Sequence, residues 1–426
     1  MRAATQLAGK MIMSAPVKPI EIHLKYAERV PPKVPVLTYR LNPTPSIQPL
    51  HRERLELRPA IDLGDYRFSA LVDWIEITFE TWRERAPADI YRFVRNEMHR
   101  LKHDGRPLVR GPGRRRGVRG REFFVRIQTP EPRHFFALCE ALREKYDLLS
   151  DGDVDIRLYG VEISLDIYPN SGRREDRQLM TETVRRHLIP QEVFYETQRR
   201  HPRAVFDGHV EVPRFLMDKP GRQQANAARK KRYRALGITG QHFRDLSFTR
   251  FHRCPVDATL YIGDKREAAH INIQDKVTDD RDPDRGTFRR LAPKDCRTRL
   301  ELRLDHGGPE HAEMPTPYCL GKGKFAGMSR IAFRMGIPTL SYGASHLDAF
   351  EMPMFRAAGL LGLDRYQRAR HRQAGIMALD SKRKDAGVRE LGPKGYWLAW
   401  SEFNDRSKKA LEALEARWER GKAGCT

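Results

Sequence analysis

The sequence predicts an α+β fold in which an antiparallel sheet is covered on one face by helices. Several segments alternate aliphatic with polar residues at the two-residue period of a half-buried strand, and amphipathic helical segments lie between them. Residues 259–276 contain two such runs around a charged connector, which is the pattern of a β-hairpin. If these strands are neighbours in one sheet, their aliphatic side chains meet the helices and their polar side chains converge on the other face.

The two faces of this hairpin differ in chemistry. Leu260 and Ile262 share one face of the first run, and Tyr261 points to the other. In the second run Ile271 and Ile273 share a face. The polar residues of the second run point away from that face: His270, Asn272 and Gln274. A tyrosine on the polar face of an otherwise aliphatic strand is a candidate for chemistry, with a purely structural tyrosine as the alternative.

Charge is the most informative property of the composition. The 426 residues include 79 Lys and Arg against 56 Asp and Glu, a formal net charge of +23. Such an excess predicts a polyanionic partner, either nucleic acid or an acidic membrane surface. No lysine-rich amphipathic helix or lipidation motif supports a membrane, and the dominance of arginine favours bidentate contacts to phosphate. We therefore expect a nucleic acid and no membrane, although a GC-rich coding sequence would also enrich arginine.

Other features argue against a secreted or membrane-spanning protein. No apolar run approaches the roughly 20 residues that are needed to span a bilayer. The first residues carry a basic start without a sustained apolar segment, so no secretory signal is expected. The five cysteines are scattered without CxxC spacing, which fits reduced thiols rather than disulfides or a zinc site. We expect a cytoplasmic location.

The composition divides the chain into three parts. Residues 1–65 are rich in proline and lack apolar periodicity, so an irregular extension is predicted. Residues 66–306 carry the alternating strands and are predicted to form the core domain. Residues 307–426 are dominated by helical patterns, which predict a helical C-terminal region.

A second polar face carries carboxylates. In residues 155–169 the aliphatic positions share one face, so that Glu162, Ser164 and Asp166 lie on the other, about 7 Å apart. Two carboxylates on one face repel unless a cation, an arginine or a proton intervenes. A divalent-metal site suited to Mg²⁺ or Mn²⁺ and an ion pair with arginines are both consistent with this pattern. The alternating strand at residues 298–304 adds three ionic side chains: Arg299, Glu301 and Arg303.

Two arginine-rich segments are candidate DNA contacts. Residues 105–121 combine glycines with arginines at a density that no core accepts, which predicts a flexible loop on a phosphate backbone. Residues 222–236 form a basic segment of good helix formers. The predicted DNA-binding residues are Arg110, Arg114, Arg115, Arg116, Arg119, Lys230, Lys231 and Arg232. A solvated loop and a solvated helix are the alternatives.

Four segments, taken in order, resemble a known family. They read VDWIEITF, VEISLD, LYIG followed by IQDK, and RLELRL, within residues 68–305. The order resembles that of the replication initiation factors of rolling-circle plasmids and filamentous phages, whose motifs typically read RIDLAxD, YIGS with IYDK, and RxExxx. The resemblance implies a relaxase-like sheet and a DNA-nicking core over residues 66–306, in a bacterial cytoplasm. Members nick one strand of an origin through a tyrosine, remain linked to the 5′ phosphate, and later rejoin the ends.

The resemblance also implies roles for individual residues. Tyr261 takes the place of the YIG tyrosine and would be the nucleophile. Glu162 and Asp166 take the places of two aspartates, and Glu301 that of the late glutamate, so these three would bind Mg²⁺ or Mn²⁺. The implied partner is a single-stranded or supercoiled DNA origin, with a host helicase as a further candidate.

Two positions depart from the family pattern. Gln274 stands where IYDK has its tyrosine, and Gly160 stands where the family has an arginine before the first carboxylate. If the family nucleophile is the IYDK tyrosine, this chain is inactive at that position or uses another tyrosine, such as Tyr168, in place of Tyr261. The alternatives for function are a conjugative relaxase of related chemistry and a DNA-binding regulator without catalysis.

Overall fold

A computed structural model of the chain shows the fold. It describes residues 19–26, 31–45, 54–103, 105, 107–150, 154–191, 203–206, 254–262, 268–282, 287–343, 346–347, 351–352, 355–356, 359–364 and 397–424. Lys230, Lys231 and Arg232, which are predicted to bind DNA, lie outside these residues.

Strands and helices alternate along the described chain. The strands are β1 (Ile20–His23), β2 (Val36–Pro43), β3 (Arg54–Pro59), β4 (Tyr66–Arg85), β5 (Pro107–Arg110), β6 (Gly120–Gln128), β7 (Leu148–Leu149), β8 (Ile156–Pro169), β9 (Arg203–Phe206), β10 (Ala258–Ile262), β11 (Ala269–Lys276), β12 (Thr278–Asp282), β13 (Thr287–Arg290), β14 (Arg297–Leu304), β15 (Gly336–Gly343), β16 (His346–Leu347) and β17 (Trp397–Ala399). The helices are α1 (Pro87–Arg100), α2 (Pro132–Lys145), α3 (Arg174–His187), α4 (Gly308–His311), α5 (Lys324–Ile331) and α6 (Ser401–Ala423).

Nine of the described strands form one large antiparallel sheet. Their order is β5–β6–β4–β8–β14–β11–β10–β9, with β7 paired to β4. Strands β10 and β11 form the predicted hairpin, in which Tyr261 lies opposite Asn272. Ile262, Ile271 and Ile273 are buried on one face, as their alternation predicts. The strands that carry the predicted polar residues are therefore neighbours.

Helices cover the aliphatic face of the large sheet. Helix α1 buries Ile90 and Val94, and α6 buries Leu411 and Trp418, in one core with the aliphatic side chains of the sheet. Burying one such aliphatic side chain contributes roughly 1.5–3 kcal/mol. The predicted class, an antiparallel α+β sheet covered on one face by helices, is confirmed. Within the described ranges, no helix is both long and apolar enough to cross a membrane.

A second sheet corrects the prediction for residues 1–65. Six described strands form it, in the order β1–β2–β3–β15–β16 with β17 paired to β15. Strands β1, β2 and β3 come from the predicted irregular extension, where Ile22, Leu37 and Tyr39 are buried and their chain neighbours are more exposed. Pro43 and Pro59 end β2 and β3. The prolines therefore mark strand ends rather than irregular chain, since proline is tolerated there.

The C-terminal region is neither wholly helical nor separate from the core. Residues 307–426 supply β15 and β17 to the second sheet. Helix α6 packs on the large sheet, where the rings of Phe403 and Phe68 have centroids 5.1 Å apart. Strand β15 has only eight residues, among them two glycines and a proline. Its alternation of apolar and polar residues is therefore weaker than the helical patterns around it, and the sequence did not predict it as a strand.

His187 joins α3 to both parts of the second sheet. Its Nδ1 lies 2.8 Å from the carbonyl oxygen of Gly336, and its Nε2 lies 3.2 Å from the hydroxyl of Tyr39. A carbonyl only accepts hydrogen bonds, so Nδ1 carries the proton and the Tyr39 hydroxyl donates to Nε2. The ring is fully buried, and burial lowers the pKa of His187 from 6.5 to about 3.

We expect acid to destabilise the protein through His187. The unfolded chain protonates this residue below pH 6.5 and the folded chain only below about pH 3, so the free energy of unfolding falls as the pH falls through this window. At pH 5 the loss is about 2 kcal/mol. Thermal melts at pH 7 and pH 5 would measure it. His187→Gln should melt lower at pH 7 but lose less on acidification, and an equal loss in both proteins would contradict the assignment.

Candidate active site

Polar residues of adjacent strands lie side by side on the second face of the large sheet. Glu301 on β14 lies opposite Ser164 on β8 and opposite Asn272 on β11. Asn272 in turn lies opposite Tyr261 on β10. These four residues therefore form one row across the sheet, in which neighbouring side chains are close enough to interact.

Two further rows flank the central one. Glu162 lies opposite Arg303 on one side and opposite Trp74 on the other. Asp166 lies opposite Arg299. Glu162 and Asp166 are each two residues from Ser164 along β8, so they lie on opposite sides of the central row, each about 7 Å from it.

A β-bulge in β4 brings another carboxylate to this face. Val72 pairs with Ile163 and Trp74 pairs with Glu162, so Asp73 is an extra residue in the register between β4 and β8. A bulge of this kind re-aims the side chain of the inserted residue. Asp73 accordingly contacts the polar face, where the hydroxyl of Ser164 donates to its Oδ2 at 2.9 Å.

Asp73 is the residue of this site that the sequence analysis missed. Strict alternation from the buried Ile75 places position 73 on the aliphatic face. A carboxylate that faces an apolar core without a partner is very costly. An aspartate at a core-facing position of a strand was therefore the signal for the bulge.

Asp73, Glu162 and Glu301 form a carboxylate triad. One carboxylate oxygen from each lies within 4.8 Å of the others. Glu301 is buried, whereas Asp73 and Glu162 are half-buried. Three carboxylate oxygens at this separation are a donor set that suits a hard divalent cation such as Mg²⁺ or Mn²⁺. The residues present therefore fit the metal that the family resemblance implies.

Neighbouring polar side chains orient the triad. Glu301 accepts hydrogen bonds from Asn272 Nδ2 at 3.1 Å and from Gln274 Nε2 at 2.8 Å. Gln274, which stands in place of the family's second tyrosine, therefore acts here as a donor to a triad carboxylate. Arg299 Nη1 donates to Asp73 at 2.6 Å and lies 3.8 Å from Glu301. These bonds hold two of the three carboxylates in fixed orientations.

The three carboxylates of the triad repel one another. Burial raises the pKa of Glu162, and the charges of Glu301 and Asp73 raise it further. Burial also raises the pKa of Glu301, again with the charge of Asp73 adding to the effect. Both shifts favour the protonated carboxyl, so a cation that replaced a proton here would relieve the repulsion.

Asp166 makes ion pairs instead of joining the triad. Arg299 donates to both of its carboxylate oxygens, at 2.6 Å and 2.7 Å, and Arg297 lies 2.8 Å away. Asp166 is fully buried. The structure thus brings Glu162 and Glu301 together and places Asp166 between two guanidinium groups, which is the arginine alternative that its sequence pattern left open.

Tyr261 lies at one end of the central row. Its strand is two strands from β14, so the Cα atoms of Tyr261 and Glu301 are roughly 10 Å apart at the usual strand spacing. The residue is half-buried, and its ring centroid lies 6.4 Å from that of His270. A phosphate group between the tyrosine and the triad is compatible with this separation.

Tyr168, the alternative nucleophile, belongs to the ion-pair group. Its hydroxyl donates to Asp166 Oδ2 at 3.3 Å, and the guanidinium of Arg67 lies 4.3 Å from its ring centroid. Burial raises the pKa of Tyr168, and the charge of Asp166 raises it further. This environment opposes formation of a phenolate, the more reactive form of the nucleophile.

The arginine-rich loop divides into bound and exposed residues. Arg114 donates to both carboxylate oxygens of Glu76, at 2.9 Å and 3.1 Å, and lies 3.4 Å from Asp305. Its guanidinium also covers the ring of Tyr159 at 4.7 Å. Arg114 is therefore a structural ion-pair residue in this conformation. Of the other predicted DNA contacts in the loop, Arg110 is half-buried and three are exposed: Arg115, Arg116 and Arg119.

Known families, curated proteins and solved structures were compared with the chain. No protein-family model matches the chain, and no curated protein matches it. Among solved structures, the chain is similar to the rolling circle replication initiator protein of Geobacillus stearothermophilus, with a TM-score of 0.27 and 11% identity. The similarity covers 69% of this chain and 98% of that one. The residues of the chain itself therefore carry the functional proposal.

Proposed function

We propose that the chain initiates rolling-circle replication by nicking and rejoining one DNA strand through Tyr261. The observation that carries the proposal is the carboxylate triad in the polar face, with Tyr261 in the row that contains Glu301. The order of the family-like segments and the net charge of +23 agree with a DNA substrate. The supporting contacts come from five adjacent strands, β4, β8, β14, β11 and β10.

The proposed reaction is a transesterification. The Tyr261 oxygen bonds to phosphorus, the bond from phosphorus to the 3′ oxygen breaks, and the phenol proton passes to solvent while the leaving oxygen gains one. The phosphotyrosine keeps the energy of the phosphodiester, so the reverse attack by a 3′ hydroxyl rejoins DNA without ATP.

Asp73, Glu162 and Glu301 would hold Mg²⁺ or Mn²⁺. When bound, the cation would polarise a phosphate oxygen and neutralise charge as it develops. Ser164, Asn272 and Gln274 keep their hydrogen bonds to the triad and so preserve its shape. Arg299 pairs with Asp73 and with Asp166 and so offsets part of their negative charge.

Covalent capture tests the proposal without knowledge of the origin. The protein is incubated with Mn²⁺ and a single-stranded oligonucleotide pool of randomised sequence, and DNA that stays attached after denaturation is sequenced. We expect a protein–DNA adduct enriched in one sequence, with the nucleotide on a peptide that contains Tyr261 by mass spectrometry. DNA binding without any adduct would favour the regulator, and an adduct on another residue would overturn the assignment of Tyr261.

Exposed loop arginines should contribute salt-dependent binding. Replacing Arg115, Arg116 and Arg119 together with alanine should flatten the dependence of log K on log salt by up to about 0.9 for each lost B-DNA phosphate contact. Filter binding of duplex DNA across a salt series measures the slope. Arg114→Ala is the matched control: it should leave the slope unchanged but lower the free energy of unfolding by about 1–3 kcal/mol, because Glu76 and Asp305 lose a partner. If the salt slope changed in Arg114→Ala but not in the triple variant, the division of the loop into bound and exposed arginines would be wrong.

A further inference from the structure

Trp82 has a large apolar side chain that is exposed to solvent. Its side chain is 64% exposed, more than any other large hydrophobic residue in the described part of the chain. Trp74, Trp400 and Trp418 are buried. Single exposed hydrophobic residues are common on protein surfaces, so the surroundings of Trp82 decide whether it suits a ligand.

Trp82 lies at an irregularity in the pairing of β4 with β6. Strands β4 and β6 pair Glu80 with Glu122 and Arg85 with Gly120, and the register shifts between these pairs. Residues 81–84 of β4 consequently face residue 121 of β6. Trp82 lies within this excess of β4 residues, where the bulge interrupts the ladder between β4 and β6.

Hydrogen bonds fix the backbone of this bulge. The N–H of Trp82 donates to the carbonyl of Asp147 at 2.8 Å. The hydroxyl of the buried Thr81 lies 2.8 Å from the carbonyl of Arg83 and 3.3 Å from that of Arg121. Trp82 is therefore presented on an anchored segment, which lowers the entropy that a ligand must overcome on binding.

The surroundings of Trp82 are rich in arginine. Gly120 and Glu122 of β6 pair with Arg85 and Glu80 of β4. The N–H of Gly113 donates to Glu122 at 3.0 Å, so the 110–119 loop lies beside this end of β6. The exposed arginines of residues 80–85 and 110–122 are Arg83, Arg115, Arg116, Arg119 and Arg121. Their exposed carboxylates are Glu80 and Glu84. The excess positive charge of these neighbouring segments suits a polyanion, and the indole of Trp82 adds an apolar face beside it.

We propose that Trp82 and the exposed arginines around it bind an unpaired DNA strand. An aromatic face within a basic surface matches the two chemical groups of a single strand, which are free base faces and phosphates. A duplex offers phosphates but keeps its bases stacked inside, so it cannot use the indole. Trp82 lies nine positions along β4 from Asp73, about 30 Å at strand rise, so this surface is separate from the carboxylate triad.

The choice of DNA rests on the proposed function, because an opened origin supplies an unpaired strand. The surface would hold that strand at a distance from the site of attack. RNA has the same base faces and phosphates, so an RNA oligomer of equal length distinguishes the two sources.

Tryptophan fluorescence tests the inference without any chemistry at the triad. The full-length protein is titrated with oligo(dT) in EDTA, and quenching and affinity are measured. We expect quenching in wild type and a loss of affinity of roughly tenfold in Trp82→Ala, within the range for one stacked base. A hairpin duplex of the same charge should bind wild type and Trp82→Ala equally. Tyr91→Ala, which removes a 38% exposed aromatic from α1, should bind oligo(dT) like wild type.

Arginine variants supply a second readout. Arg83→Ala and Arg121→Ala should each reduce the salt dependence of oligo(dT) binding, whereas Arg95→Ala on the exposed side of α1 should not. Equal affinity of wild type and Trp82→Ala for oligo(dT) would overturn the inference, as would a change in oligomeric state on sedimentation without a change in binding. Tighter binding of oligo(rU) than of oligo(dT) would overturn DNA as the source. Formation of the covalent adduct by wild type is measured separately, so the proposed nicking function and the proposed binding surface at Trp82 can each fail without the other.

Discussion

Tyr261→Phe should abolish the covalent adduct between protein and DNA. The substitution keeps the ring and removes the attacking oxygen, so the nicking rate should fall by roughly a thousandfold or more, as for loss of other nucleophiles. The free energy of unfolding should change by no more than about 1.5 kcal/mol, the scale of one hydrogen bond. A denaturing gel of the protein incubated with Mn²⁺ and an oligonucleotide recovered by covalent capture measures the adduct, and a thermal melt measures the stability.

Tyr168→Phe is the matched control for this experiment. It removes a hydroxyl that donates to Asp166, keeps the ring beneath Arg67, and should leave the adduct in place. An adduct that persists in Tyr261→Phe and vanishes in Tyr168→Phe would move the nucleophile to Tyr168. An adduct that survives in both variants would place the chemistry on a residue outside this pair.

Glu162→Gln should weaken the response to Mn²⁺ while stabilising the metal-free protein. One carboxylate ligand is lost, so the affinity for Mn²⁺ should fall by at least about tenfold, since even partners of ligands have effects of this size. Wild type gains about 2.7 kcal/mol of stability from Mn²⁺ at a hundredfold excess over its Kd, and at the same concentration the variant should gain about 1.4 kcal/mol or less. Isothermal titration with Mn²⁺ and thermal melts with and without the ion measure both quantities.

The gain in metal-free stability has a defined pH dependence. The pKa of Glu162 is raised in the folded state, so the folded chain binds more protons than the unfolded chain above the ordinary glutamate pKa of 4.5. Wild type therefore loses stability as the pH rises from about 4.5 through the raised pKa, and Glu162→Gln lacks this loss. The advantage of the variant should grow from pH 5 to pH 8. A constant or shrinking difference would show that Glu162 is not repelled by its neighbours.

Asp166→Asn should lower the stability of the protein but keep its response to Mn²⁺. Asp166 lies between Arg297 and Arg299 in a buried position, so its neutralisation removes the buried charge that both guanidinium groups contact and should cost about 3–5 kcal/mol, although Arg299 keeps its bond to Asp73. The three triad carboxylates remain, and Mn²⁺ should still stabilise whatever protein folds. Loss of the Mn²⁺ response in Asp166→Asn at unchanged stability would instead make Asp166 a ligand, as the family resemblance implies.

Much of the site could be predicted because it depends on alternation within single strands. Glu162 and Glu301 each occupy a polar position between buried aliphatic neighbours, and this pattern is visible in the sequence. The side chains that each of these residues contacts could not be predicted from alternation. Arg299 lies 133 positions from Asp166 in the chain, and only the register of β14 on β8 makes them neighbours.

The sequence by itself determined the α+β class, the hairpin of β10 and β11, and the separation of aliphatic from polar faces. These features follow from a two-residue period, which each strand expresses locally. The tertiary structure decided that Asp73 joins the triad, since a bulge reverses the face that alternation assigns to it. It also decided that Arg114 binds Glu76 and Asp305, because that pairing depends on where a loop folds back onto the sheet. Local pattern sets which side chains are polar, and the register between distant strands sets which of them meet.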